Sequence, residues 1–133
     1  MEEHKLNILS AEDDPDDQLL IREAINEAGI GASVTFVSDG KALIEKLTEQ
    51  YGDNSPDILL LDLNMPIMDG LAVLKALRER EDLEDLPIII LTTSSNQNDI
   101  DQCYNLGVQS YIRKPDSFTE FVEVARSLGK FKE

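Results

Sequence analysis

The stretch Ile58-Leu59-Leu60-Leu61-Asp62-Leu63-Asn64-Met65-Pro66 decides the fold. Ile58 to Leu63 is too apolar to alternate inward and outward, so it predicts a central strand covered on both sides. A second apolar stretch, Leu6 to Ala11, runs into Glu12-Asp13-Asp14. Two buried strands that each end in carboxylates are informative, because open α/β sheets place their sites in the crevice at the carboxyl ends of their strands.

Working outward, strand-like and helix-like segments alternate five times. Pro15 suits the first turn of a helix, where its missing N–H costs nothing. Leu20, Ile21, Ala24, Ile25 and Ala28 then recur at helical spacing, and Gly29 and Gly31 end the run. Val34 and Phe36 alternate with Ser33 and Thr35, which predicts a short strand with one polar face. Asp39-Gly40 reads as a turn, Lys41 to Gln50 as a helix with Leu43, Ile44 and Leu47 inward, and Tyr51 to Asp57 as a loop. Leu71 to Leu77 predicts a third helix and Arg80–Leu86 a charged loop. Ile88 to Leu91 predicts a second two-sided strand. Ile100, Cys103 and Tyr104 mark a fourth helix ended by Gly107, Ser110–Arg113 a brief last strand, and Phe118, Phe121, Val122, Ala125 and Leu128 the final helix.

Strict β/α alternation implies an α/β fold: a doubly wound, mostly parallel sheet with helices on both faces. With right-handed crossovers, the expected architecture is a flavodoxin-like (βα)5 sheet in the order 2-1-3-4-5. That order sets the ends of strands one and three side by side and brings Glu12, Asp13 and Asp62 together.

The 133 residues suit a single domain over residues 1–133, with a tail after the last helix too short for an output domain. The 27 acidic residues against 12 basic ones give a net charge of -15, which argues against nucleic-acid binding. No apolar run approaches a membrane span, and no basic and apolar leader opens the chain. Cys103 is the single cysteine, so no internal disulfide is possible and a cytoplasmic protein is expected. Cys103 itself reads as a packing residue, and His4, the single histidine, as a surface residue near the start.

Three carboxylates in one crevice repel one another and, ionised together, need a cation. Oxygen-only donors favour a hard, partly hydrated ion, hence Mg²⁺. Asp14, Asp16 and Asp17 read instead as solvated acids at a helix N-terminus, where they complement the dipole. Asp62 has the makings of a nucleophile: a carboxylate attacking phosphorus yields an acyl phosphate, with Mg²⁺ neutralising the charge gathered on the oxygens. Such a site needs a fixed cation and a hydroxyl. Lys114, at the end of the last strand, offers the first and Thr92, at the end of strand four, the second. Alternatively, the run Thr92-Thr93-Ser94-Ser95 could simply cap the helix around Asn98.

The set Glu12-Asp13, Asp62-Leu63-Asn64-Met65-Pro66 with Asp69-Gly70, Thr92, and Lys114-Pro115 resembles the receiver domain of two-component response regulators over essentially the whole chain. The resemblance implies a phosphoacceptor signalling protein rather than an enzyme acting on other molecules. Asp62 would accept a phosphoryl group from a sensor histidine kinase. Asp13 and Asp62 would bind Mg²⁺ directly, Glu12 through water, and the Asn64 carbonyl would complete the protein ligands. Lys114 would pair with the phosphoryl oxygens. Thr92 would bond the phosphoryl group and shift, with Tyr111 changing rotamer. The readout would be the face made by the fourth helix, the last strand and the last helix, through which an unidentified downstream protein or a homodimer partner could bind. More narrowly, Glu12-Asp13-Asp14-Pro15-Asp16-Asp17, the Leu91-Thr92-Thr93-Ser94 run and the long loops before strands three and four resemble the small regulators that partner bacterial phytochrome kinases. Two positions depart from the family pattern. Thr93 stands where Ala or Gly is common, and Asp116 where a hydrophobic residue is common. They bear on phosphoryl lifetime and partner choice.

Other classes fit less well. A phosphatase of the haloacid dehalogenase type needs a second carboxylate two residues after the nucleophile, where this chain has Asn64. A flavodoxin needs an anion cradle after strand one, where Glu12 to Asp17 would repel phosphate. A binding module that keeps the fold and the metal site without phosphoryl transfer is the remaining alternative.

Overall fold

The computed structural model describes residues 5–49 and 55–131. Five parallel strands, β1 (Leu6–Ala11), β2 (Ala32–Val37), β3 (Ile58–Leu61), β4 (Ile88–Thr92) and β5 (Ser110–Arg113), form one sheet in the order β2-β1-β3-β4-β5. The helices are α1 (Pro15–Ala28), α2 (Gly40–Glu49), α3 (Gly70–Arg78), α4 (Gln97–Asn105) and α5 (Phe118–Ser127). This is the flavodoxin-like topology expected from the sequence. His4, and the loop residues Tyr51 to Asn54, lie outside the described residues.

Alternate strand residues feed two cores, one per face. Leu9, Ala11, Leu59, Leu61, Ile88 and Ile90 face α2, α3 and α4 through Leu43, Leu47, Val73, Leu74, Leu77 and Cys103. Leu6, Ile8, Ile58, Leu60, Ile89 and Leu91 face α1 and α5 through Ile21, Ala24, Ile25, Phe121, Val122 and Ala125. β3 and β4 are buried at every position, as their unbroken apolar runs require, whereas edge strand β2 exposes Ser33 and Thr35. No helix among the described residues is long and apolar enough to cross a membrane.

The helix ends follow local chemistry. Asp14 caps α1 by accepting from the Asp16 N–H, Pro15 opens the helix, and Gly29 closes it at φ 65°. Asp39 accepts from the Ala42 N–H, so α2 begins at Gly40.

Several details differ from the sequence reading. β3 ends at Leu61, two residues before the predicted end. Asp62 still donates its N–H to the Ala11 carbonyl, but Leu63 turns its carbonyl to the Gly70 N–H, which leaves the ladder. The charged loop contains a 3₁₀ turn at Glu81–Leu83 that buries Leu83. Phe118, read as part of the inward stripe of α5, is 40% exposed, because as the first residue of the helix it precedes the face that meets the sheet. Tyr104 is likewise exposed on α4. Leu128 is buried, but in a 3₁₀ extension (Leu128–Phe131) beyond α5.

Gly70 lets the start of α3 lie directly on the end of β3. A β-carbon there would stand 2.6 Å from both the Asp62 carbonyl oxygen and the Leu63 Cα. Backbone atoms cannot give way as a flexible side chain can. Gly70→Ala is therefore expected to lower stability by about 1–3 kcal/mol, read as a reduced urea midpoint. An unchanged midpoint would contradict this packing.

Candidate functional site

The register of the sheet sets the site. Ala11 pairs with Leu61, and Thr92 with Arg113, so the next residue on each of β1, β3 and β5 is Glu12, Asp62 and Lys114. Three hydrogen bonds extend the ladders past the strand ends: Glu12 N–H to the Val37 carbonyl at 2.9 Å, Asp62 N–H to Ala11 at 3.1 Å and Lys114 N–H to Thr92 at 2.8 Å. Each site backbone is thus pinned to a neighbouring strand, and only the side chains remain to be placed.

Those side chains converge. Lys114 Nζ lies 2.7 Å from Asp17 Oδ2, 2.8 Å from Glu12 Oε1 and 2.9 Å from Asp62 Oδ2. An ammonium has three hydrogens, so all are committed. Glu12 and Asp62 are almost fully buried, at 1% and 4% exposure. Glu12 Oε2 also accepts from the Asp14 N–H, and Asp62 Oδ1 from the Asn64 N–H at 3.0 Å. The carboxylates of Glu12, Asp13 and Asp62 offer oxygens that all lie within 4.8 Å of one another. Trans ligands of Mg²⁺ stand about 4.2 Å apart at its usual bond lengths, so this oxygen-only set fits a hard divalent ion after slight contraction, or with Glu12 reached through water.

Repulsion among the acids is answered, within the chain itself, by Lys114. Burial pushes the Glu12 carboxyl up to about 7, against the opposing pull of its hydrogen bond and ion pair with Lys114. Burial alone would depress the Lys114 ammonium, but its bonds to Asp17, Glu12 and Asp62 outweigh that and hold it above the ordinary lysine value.

The remaining candidates ring this centre. Thr92 is fully buried, and its Oγ1 accepts weakly from Asn64 Nδ2 at 3.4 Å and from the Ser94 N–H at 3.5 Å. Asn64 Nδ2 also approaches Thr93 Oγ1 at 3.4 Å, so Thr93 stands at the rim of the site. Tyr111 turns its hydroxyl inward and donates to the Ser94 carbonyl at 2.9 Å, tying edge strand β5 to the loop before α4. Tyr104, on α4, accepts from the Tyr111 N–H at 3.1 Å. The cap of α4 is Asn96, whose Oδ1 accepts from the Asn98 and Asp99 N–H groups, so the Thr92–Ser95 run is not the cap. Ile67, just after Met65-Pro66, is exposed and holds φ 70°, a strained conformation for a β-branched residue. Cys103 is buried on α4, and burial raises its thiol to about 11, as suits an inert packing residue.

Asp17 departs from its sequence reading. It is not simply a solvated first-turn acid: it holds the shortest bond to Lys114. The three carboxylates on Lys114 come from positions 12, 17 and 62, and nothing in their spacing signals that a side chain in the first turn of α1 reaches the lysine after β5.

Residues 8–126 match the family model described as "Response regulator receiver domain". The chain is 32% identical over 127 residues to the response regulator Rcp1 of a Synechocystis species, covering 93% of this chain and 86% of Rcp1. It is 34% identical over 126 residues to a probable methanogenesis regulatory protein, FilR2, of Methanothrix harundinacea, covering 93% and 81%. The phosphorylated cyanobacterial phytochrome response regulator RcpA superposes with a TM-score of 0.85 at 32% identity over 97% of this chain and 94% of RcpA. The Mn²⁺-bound form of Rcp1 superposes at 0.81 with 30% identity, over 95% and 93%. This chain belongs to the response regulator receiver domain family of two-component signalling proteins.

The raised Glu12 carboxyl makes a signed prediction for protein kept free of metal with EDTA. The folded chain keeps the Glu12 proton up to about 7, while the unfolded chain gives it up near 4.5. Between those values the folded state binds more protons, so this group makes stability fall as pH rises and then level off above 7. Urea midpoints measured across this window should decline in wild type more steeply than in Glu12→Gln. Equal slopes in the two proteins would contradict the assignment.

Proposed function

We propose that this protein is a stand-alone, cytoplasmic response regulator in which Asp62 accepts a phosphoryl group from a histidine kinase. The observation that carries the reading is the Asp62 carboxylate at the end of β3, held 2.9 Å from the Lys114 ammonium beside two further carboxylates. In the transfer, an Asp62 carboxylate oxygen attacks phosphorus, the bond from phosphorus to the donor's imidazole nitrogen breaks, and the electron pair returns to that ring. Asp13 and Asp62, with Glu12 through water and the Asn64 carbonyl, would hold Mg²⁺. Bound there, the ion neutralises charge on the phosphoryl oxygens. Lys114 must leave Asp62 Oδ2 as that carboxylate reacts, and it then pairs with the phosphoryl group. Thr92 is within one side chain of the same space and supplies a hydroxyl to it.

The similarity to the cyanobacterial phytochrome response regulator RcpA supports a phytochrome-type kinase as the donor. The new group adds nearly two negative charges and three strong acceptors beside Thr92. A shift of the Thr92 hydroxyl pulls on the loop whose Ser94 carbonyl receives the Tyr111 hydroxyl. The route therefore leads from Asp62 to the α4–β5–α5 face, as a bias between two conformations. A second copy of the chain or another protein would read that face.

Intact mass after incubation with acetyl phosphate and Mg²⁺ tests the acceptor. One phosphoryl group is expected on wild type, and none on Asp62→Asn or with EDTA. No addition to wild type from acetyl phosphate or from a phytochrome-type kinase would support the binding-module reading instead. Thr92→Ala is expected to be phosphorylated still but to lose the response of the α4–β5–α5 face. Backbone amide spectra in which Thr92→Ala shifts on phosphorylation as wild type does would refute that role.

A further inference from the structure

Two cations would have to share this site. Of the three carboxylates on Lys114, Glu12 and Asp62 also belong to the group that fits a divalent ion, and Asp17 does not. An ion held by Asp13 and Asp62, with Glu12 engaged through water, repels the ammonium and competes with it for two of its three acceptors. Lys114 would then need a partner outside the ion's ligands to stay in place for the incoming phosphoryl group.

Asp17 meets that need. It sits in the first turn of α1, where the Asp14 cap and Pro15 fix the helix start. It holds Lys114 Nζ at 2.7 Å, and the Lys114 side chain is only 9% exposed, so the ammonium has little access to water as a substitute acceptor. We infer that Asp17 is a positioning residue for Lys114, keeping the ammonium at the site when a divalent ion on Asp13 and Asp62, with Glu12 engaged through water, competes for its other partners. The inference rests on the metal-assisted reading proposed above. Asp17 touches neither phosphorus nor Asp62 in this role; it acts through Lys114.

The arrangement separates two roles by sign. If Asp17 were only a negative charge near the site, removing it would speed reaction with an anionic phosphodonor. If it positions Lys114, removing it slows the reaction, because a displaced catalytic group costs about tenfold or more.

The side-chain ammonium ¹H–¹⁵N signal of Lys114, assigned by its absence in Lys114→Met, gives a direct readout. In wild type the signal is expected with and without Mg²⁺. In Asp17→Ala it is expected without Mg²⁺, held by Glu12 and Asp62, and lost at saturating Mg²⁺. Phosphorylation by acetyl phosphate at saturating Mg²⁺ should fall about tenfold in Asp17→Ala and show no further fall when Asp17→Ala is added to Lys114→Met. Asp17→Leu, similar in size but without an acceptor oxygen, serves if the alanine variant does not fold. An ammonium signal that persists in Mg²⁺-saturated Asp17→Ala, or a variant that reacts as fast as wild type or faster, would overturn the inference. Absence of any Mg²⁺-induced shift at the Asp13 and Asp62 amides of wild type would instead overturn the metal reading beneath it.

Discussion

The ammonium of Lys114, bonded at once to Glu12, Asp17 and Asp62, is the contact on which the site depends. Buried carboxylates this close cannot all stay ionised without a counter-charge. Lys114 supplies one, at the cost of committing all three of its hydrogens. Burial still raises the Glu12 carboxyl to about 7, against the pull of Lys114. In the function proposed above, this site takes a divalent ion and then a phosphoryl group, with Lys114 displaced from Asp62.

The sheet makes this contact possible. Placing β1 and β3 side by side puts Glu12 and Asp62 on adjacent strand ends, and β4 carries Thr92 and aligns β5 so that Lys114 reaches back across them. The strand ends are fixed by ladder hydrogen bonds and by two dry cores, whereas the loops beyond them carry the chemistry. Fixed strand ends beneath the loops fit the output proposed above, a change in the β4–α4 loop and in edge strand β5. Two tyrosines tie that region together. Tyr111 reaches inward to Ser94, and Tyr104 caps the outer N–H of Tyr111, so α4, β5 and the loop are linked through two hydroxyls.

Much of this was legible in the residues. The two-sided apolar runs gave β3 and β4 their central places, and the β/α alternation implied the strand order. Strand-end positions alone group Glu12, Asp13, Asp62, Thr92 and Lys114. What escaped depended on how helices sit on the sheet. Asp17 reads like any first-turn acid, because sequence spacing does not reveal that its side chain reaches Lys114. Phe118 fitted the apolar stripe of α5 by period, yet it precedes the turn that docks. Asn96, itself a favoured N-cap residue, caps α4 in place of the preceding hydroxyl run. Leu63 kept the strand's apolar character but left the ladder, because Gly70 draws its carbonyl toward α3.

The most direct test of the account is a crystal structure of the protein grown with Mg²⁺ and beryllofluoride, which mimics a phosphoryl group on a carboxylate. The account predicts beryllium on Asp62, the metal held by Asp13 and Asp62, and Lys114 turned from the Asp62 carboxylate to a fluoride while still bonded to Asp17. Beryllofluoride bound elsewhere, or a Lys114 that stays on Glu12 and Asp62 with the metal absent from their carboxylates, would contradict it.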